Sequence, residues 1–486
     1  MGNTKIERML VGALVMFVGC GNPGGEPNDG NNVVQTVSAL QPALNLYGIA
    51  ETVHSTGAID RTNPFFQKLG VNQRTCETCH SGDQGWTITA VGTALSFLTS
   101  GGLAPVFMLH DAGSRPDADI STLVSRWQTF RATLVKRGLI RFGRTLPATS
   151  EFTVTAVSDP AGFATPTQIT NFRRPTPTSN ESKVADVLWT AGPHDVPTQV
   201  ASTAGGAARF HEQRVDAVPP DQQTAMRDFM LGVSFAQSIH VSAGRLDADG
   251  AKGGPTNLQA QPFYVGINDI QGGDPMHPFS RKVFDLFDAW APYAATSTQL
   301  PADGLDAASS SSSSSSTGEL TALGRGRLAA ARAAIYRGQD LFNNREFDIT
   351  GVHGLNDLLA QTTVRGTCST CHNAPNVGGH SVFRMFDVGT ADPPNCSTDL
   401  PLLTLQNNTT LATRQTCDLG RGGNGKWDDV GGFRAPPLRG LAARAPYFHD
   451  GQAESIKDVI SYFDRRFSIG LTTNQKRDLE AFLSAL

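Results

Sequence analysis

The feature that most narrows this chain is a five-residue pattern that occurs twice. It reads Cys76-Glu77-Thr78-Cys79-His80 in the first half and Cys368-Ser369-Thr370-Cys371-His372 in the second. With 7 cysteines and 11 histidines in 486 residues, chance gives only about 0.002 such pentapeptides. C-x-x-C-H is the attachment signal for c-type haem. Two thiols three positions apart add to the two vinyl groups of one porphyrin. The histidine that follows is then placed over the iron as proximal ligand. The spacing therefore predicts two covalent haems, held by Cys76 and Cys79 and by Cys368 and Cys371, with His80 and His372 on the irons. The rival uses of C-x-x-C are a redox disulfide and half of a zinc site. Neither motif sits near a βαβ pattern, and a shared four-cysteine zinc site leaves both histidines unexplained.

The first twenty residues read as a targeting segment. Lys5 and Arg8 precede the apolar run Met9 to Val18, at about ten residues too short to span a bilayer. The run ends in Phe17-Val18-Gly19-Cys20. This resembles a bacterial lipoprotein signal, in which Cys20 is lipidated and becomes the first mature residue; plain secretion is the alternative. Haem c is attached outside the cytoplasm in bacteria, so the two signals agree on a periplasmic protein anchored to the membrane through lipid. Export also permits Cys396 and Cys417 to pair. A bridge there closes a loop of about 20 residues and stabilises by roughly 3 kcal/mol; two reduced, buried thiols are the alternative. A net charge of −4 gives no basic field for nucleic acid.

Composition divides the rest. Residues 21–43 are rich in Gly, Asn, Pro and Asp and read as a flexible tether. An unbroken run of eight serines, Ser309 to Ser316, cannot bury a core, so 301–318 reads as a linker. An N-terminal haem domain over 44–300 and a C-terminal cytochrome c domain over 319–486 are the expected units. Apolar spacing predicts helices from Ser121 to about Arg137, from Asp221 to about Ile239, through Leu328 and Ile335 to near Gly338, from Ser455, and from about Thr473 to Leu486. Phe152 to Val157 alternates like a strand, and Asp387 to Asn424 looks irregular. The expected fold class is mainly α: two cytochrome c-like haem domains with long loops and a few short strands.

Further motifs resemble those of the bacterial di-haem cytochrome c peroxidases and their MauG-like relatives. They are Phe433-Arg434-Ala435-Pro436-Pro437-Leu438-Arg439-Gly440 with Ala445-Pro446-Tyr447-Phe448-His449-Asp450-Gly451, then Arg337-Gly338-Gln339-Asp340-Leu341-Phe342. In the first half they are Arg174-Pro175-Thr176-Pro177 and Leu188-Trp189. The resemblance implies that electrons from a small redox protein enter at the C-terminal haem and reach the N-terminal haem, where hydrogen peroxide is reduced. It implies Trp189 on the route between haems and Gln199 as an active-site glutamine. It also implies a homodimer, and a calcium ion between domains, although Ala435 replaces the threonine expected at that ion.

The chain departs from the family pattern elsewhere. Thr190-Ala191-Gly192 follows Trp189 where the family has D-G-R, and Arg209 stands where an acidic residue should assist O–O cleavage, with Glu212 nearby. Phe463 takes the place of a ligating methionine, which leaves Met385 and His380, ahead of Tyr462, as sixth ligands of the C-terminal haem. His110 and His211 are the candidates for the N-terminal one, and His449 reads as a hydrogen-bonding residue. The function expected is a peroxide-reducing or MauG-like oxidoreductase; the alternative is a non-catalytic di-haem electron carrier.

Overall fold

Strands decide the architecture. The computed structural model describes residues 42–190, 195–272, 278–296 and 317–486, and all of them lie in one compact unit, Ala39–Leu486. Cys20, most of the tether, Ala191, Gly192 and the serine run fall outside the described residues. The chain is 35% helical and 16% strand, and its strands form five small antiparallel sheets among the described residues. The expectation of a mainly α chain with two cytochrome c-like domains is thus overturned; the fold is mixed α and β.

One sheet shows why. Phe152–Ser158, from the first half, pairs antiparallel with Leu402–Asn407, from the second, and Leu402–Asn407 pairs in turn with Thr413–Thr416. The alternation of Phe152 and Val154 buries one face against Leu403, Leu405, Leu419 and Val430. Backbone donors of the two halves are therefore satisfied by each other. The stretch expected to be irregular supplies two of these strands. Its polar alternation, Leu-Thr-Leu-Gln, is a half-buried strand pattern interrupted by turns.

A second sheet corrects a helix. Pro220–Gly232 is helical, with Met226, Phe229 and Met230 buried, but Val233–His240 is a strand paired with Gly48–His54. After Gly232 the sequence Val-Ser-Phe-Ala-Gln-Ser-Ile-His changes to the β-branched, period-two type. A β-carbon at Gly232 would lie 2.4 Å from the His54 ring, which would have to move to admit one. The expected helix near Ser121 runs over Leu123–Phe130 and widens into a π turn at Arg131–Val135.

In the second half the helix Thr317–Asn344 continues past Gly338, where an end was expected. Gly338 is instead the crossing point with Thr473–Ser484: an added β-carbon would stand 2.0 Å from the Asp478 carbonyl oxygen and 2.6 Å from Phe482 Cβ. Around that contact Phe284, Phe287, Trp290, Phe342 and Phe482 form the largest core cluster. Ser455 caps Ile456–Arg466 reciprocally with Asp458, the expected capping box.

Candidate functional site

The two C-x-x-C-H motifs fold in the same way. Each begins a single 3-10 turn, Cys76–Thr78 and Cys368–Thr370. In each, the threonine before the first cysteine donates its backbone N–H to the hydroxyl of the threonine three positions on, Thr75 to Thr78 and Thr367 to Thr370, at 3.0 Å. The histidine N–H then returns to the first cysteine carbonyl, at 3.0 Å for His80 and 3.2 Å for His372. Each imidazole donates from Nδ1 to a carbonyl six residues on: His80 to Trp86 at 3.1 Å and His372 to Gly378 at 2.5 Å. That bond fixes the tautomer and leaves Nε2 as the ligating nitrogen. Burial holds both rings neutral, pushing His80 down to about 4 against the raising effect of the Trp86 carbonyl.

Cys76, Cys79 and His80 form one wall of a cavity of about 570 Å³, a size that takes a cofactor. The helix Val196–His211 supplies Val200, Ala204 and Ala207 to another wall, and Trp189 and Thr190 close a third. Both thiols are free, so the donor set and the space fit a covalently attached porphyrin. Arg74 is held beneath the motif by Asp111, which also takes His211 Nδ1 at 2.8 Å and lies 3.2 Å from His110 Nε2. Burial pushes the Asp111 carboxyl up, but these three partners outweigh it and keep it far below the usual carboxylate range. His211 lines the cavity while His110 does not.

Trp189 donates its indole N–H to the Arg174 carbonyl at 2.8 Å. Its ring meets Phe433 edge-on at 6.4 Å, and Phe433 stacks on His449 at 4.1 Å. His449 is buried and makes no side-chain hydrogen bond among the described residues; its Nε2 stands 4.0 Å from Asp418. Arg173, on the cavity wall, forks onto Asp418 with two bonds of 2.7 Å. Burial raises the Asp418 carboxyl, but Arg173 outweighs it and the carboxyl sits below its usual range. The neighbouring Cys417 is bonded to Cys396.

The structure places the remaining candidate residues both on and off the cavity wall. Gln199 is not on the cavity wall; its Oε1 accepts from the Val187 N–H at 3.1 Å and so braces the segment leading to Trp189. Arg209 is exposed. Glu212 is buried on the cavity wall, taking the Leu69 N–H at 2.9 Å and the Cys76 thiol at 3.5 Å. Around the second motif, His380 Nδ1 bonds the Cys371 carbonyl at 2.8 Å and its buried Nε2 has no partner among the described residues. Met385 is buried in a two-residue strand beside Arg434. The Tyr462 hydroxyl donates to the Val388 carbonyl at 2.8 Å. Among the described residues no cluster of His, Cys, Asp and Glu forms a ready metal site.

Sequence reasoning passed over Glu181, which is buried on the cavity wall, and the shared T-C-x-T-C-H form of both motifs. The second could have been read from the chain. The first gives no local signal, because only the fold carries residue 181 to the cavity.

The site is therefore of the class that binds a tetrapyrrole through thioethers and a histidine. Relatives sharpen that class. Over 142 residues the chain is 29% identical to a cytochrome-c peroxidase, IdrP1, of Denitromonas iodatirespirans, covering 24% of this chain and 36% of that one. Over 120 residues it is 33% identical to cytochrome c551 peroxidase of Pseudomonas aeruginosa, covering 24% and 30%. The chain thus spans about a third of the length of these relatives. The resemblance to the di-haem cytochrome c peroxidase family carried by the motifs is borne out by them. No protein-family model matches the chain. A solved hydrazine synthase of Kuenenia stuttgartiensis overlaps 82% of this chain and 93% of that one at 13% identity, with a TM-score of 0.30 that carries no argument.

Proposed function

We propose that this protein is a periplasmic oxidoreductase with two covalent c-type haems, reducing hydrogen peroxide with electrons from a small redox protein. The observation that carries the reading is the C-x-x-C-H motif on the wall of a cavity closed by Trp189. When bound, haem supplies one-electron chemistry at its iron. Cys76 and Cys79 hold its edge, His80 presents Nε2, and Arg74 keeps the motif seated through Asp111 and the carbonyls of Pro105 and Val106. Buried aliphatic groups of the helix Val196–His211 exclude water from the cavity. Trp189, Phe433 and His449 form an aromatic file leading out of it. Cys368, Cys371 and His372 would hold the second haem, with His380 Nε2 and Met385 as the sixth-ligand candidates. Lipid anchoring through Cys20, a homodimer and a calcium ion extend the proposal, with the Ala435 substitution weighing against calcium.

Optical and EPR spectra of the purified, exported protein test this, oxidised and half-reduced, before and after peroxide. A high-spin iron that appears on half-reduction and reacts with peroxide supports the reading. Two low-spin irons inert to peroxide in every state refute it and leave the electron carrier, the alternative that the exposed Arg209 favours.

A further inference from the structure

A peroxide-reducing cavity needs a group that can hold and release a proton inside it. Arg209, at the position of the expected acid, is exposed and absent from the cavity wall. Glu212 is on the wall, with Oε2 held by the Leu69 N–H and Oε1 3.5 Å from the Cys76 sulfur, whose proton is lost when the thioether forms. That sulfur is the one that becomes a thioether, so Glu212 sits at the point of attachment.

Glu181 is different. It opens the turn Glu181–Lys183, and the turn is rigidly set. Asn180, in the left-handed region at φ 64°, donates its backbone N–H to the Val233 carbonyl at 2.9 Å. The Asn180 side chain accepts from Phe235 N–H at 2.8 Å and donates to the Phe235 carbonyl at 2.9 Å. Lys183 is turned away, spending its ammonium on the carbonyls of Gln259 and Gln261. The Glu181 carboxyl is thus carried to the cavity wall on fixed backbone, and its buried Oε2 has no hydrogen-bond partner among the described residues.

Of the four arginines on the cavity wall two are spent on other carboxylates, while Arg144 and Arg174 keep their charge there. Arg74 is paired with Asp111 and Arg173 with Asp418. Arg174 bonds the carbonyls of Arg444, Pro446 and Ile88. Arg434 gives Nη1 to the Asp186 carbonyl at 2.5 Å. Burying a carboxylate in such a place is costly, which favours the neutral acid. Burial pushes Glu181 up to about 7, with Arg434 the opposing influence, and the neighbouring Asp186 carboxyl is raised by burial to about 6. A carboxyl poised near neutral pH at the edge of a cavity is suited to acid catalysis.

We propose that Glu181 is the catalytic acid of this cavity, delivering a proton to the departing oxygen of peroxide in place of the acid that Arg209 has replaced. The inference rests on the peroxide-reducing reading above. The balance is that hydrogen peroxide takes two electrons from the external donor protein and two protons. Its O–O bond breaks, two O–H bonds form, and two waters leave. Glu181 gives one of the protons and is reprotonated from solvent.

The test uses the haem-loaded protein and its Glu181→Gln and Glu181→Asp variants, each checked for unchanged haem content and Soret spectrum. Infrared titration of the wild type should show a protonated-carboxyl band that disappears as pH rises through about 7 and is absent from E181Q. The rate of reaction with peroxide should fall with pH over the same interval. E181Q should lower it about 100-fold or more, and E181D should restore part of the loss. A wild type inert to peroxide overturns both this inference and the reading beneath it. A reactive wild type with an equally reactive E181Q, or with the same infrared titration in E181Q, overturns Glu181 alone.

Discussion

Replacing Asp418 by asparagine isolates the ion pair that ties the cavity wall to the disulfide-bearing segment. Arg173 and Asp418 meet through two bonds of 2.7 Å, and their side chains are 8% and 2% exposed. The substitution keeps the shape and removes the charge. It leaves the Arg173 guanidinium buried beside Phe142 and Phe433, with Arg144 adding a like charge nearby. Breaking one side of a buried pair costs about 3–5 kcal/mol, a large part of the 5–15 kcal/mol that holds a typical domain. The assay is guanidinium unfolding of the haem-loaded protein followed by far-UV circular dichroism, with an exposed pair, Arg115–Asp117, as the comparison. D418N should lower the midpoint strongly, whereas D117N should leave it unchanged. A loss below about 1 kcal/mol for D418N, the range of exposed pairs, would refute the claim that Arg173 depends on this carboxylate. The pair also sets a pH dependence. The Asp418 carboxyl is depressed in the fold, so its contribution is full above the unfolded value of about 3.9. It is lost as pH falls through the depressed folded value, and the stability gap between wild type and D418N should close on acidification.

Other outcomes follow from the same geometry. Gly338→Ala should push the helices Thr317–Asn344 and Thr473–Ser484 apart and cost about 1–3 kcal/mol; an unchanged thermal midpoint would remove Gly338 as the crossing point. Loss of the Cys396–Cys417 bridge, which closes a separation of 21 residues, should cost about 3 kcal/mol in denaturant, and equal stability of the double serine variant would contradict it. Serine at Cys76 and Cys79, or at Cys368 and Cys371, should each leave half the pyridine haemochrome absorbance of the wild type. Full absorbance in either variant would show that the motif carries no haem. Trp189→Phe should slow peroxide turnover at unchanged haem content, and equal turnover would take Trp189 off the electron route.

The parts legible in the sequence are those whose signal is local. Ser455 with Asp458 announces a helix start because the cap is made within four residues. The alternation of Phe152 to Val157 announces a strand for the same reason. The ends of elements were less legible. Val233 to His240 continues the apolar spacing of the helix before it, and only Gly48–His54 lying alongside makes it a strand. Gly338 looks like a stop and is a contact, because its meaning depends on Asp478. The site divides similarly. Cys76 to His80 is readable because the chemistry demands contiguous residues. Glu181 is not, because a proton donor needs only proximity. The family resemblance puts Gln199 in the site, but in the fold it holds the Val187 backbone.

The sheet that joins Phe152–Ser158 to Leu402–Asn407 sets an order of events for a newly made chain. The edge of Phe152–Ser158 that meets Leu402–Asn407 has nothing to pair with until residues some 250 positions later have been synthesised. Closing so long a loop is slow, and contacts of this range form late. During that interval both T-C-x-T-C-H segments are still on an open chain, where a haem-attaching enzyme can reach thiols that the finished fold leaves half-buried or, at Cys79, buried. Severing the chain between its halves would leave each fragment with an unfinished edge, and such fragments should be recovered together or as aggregate.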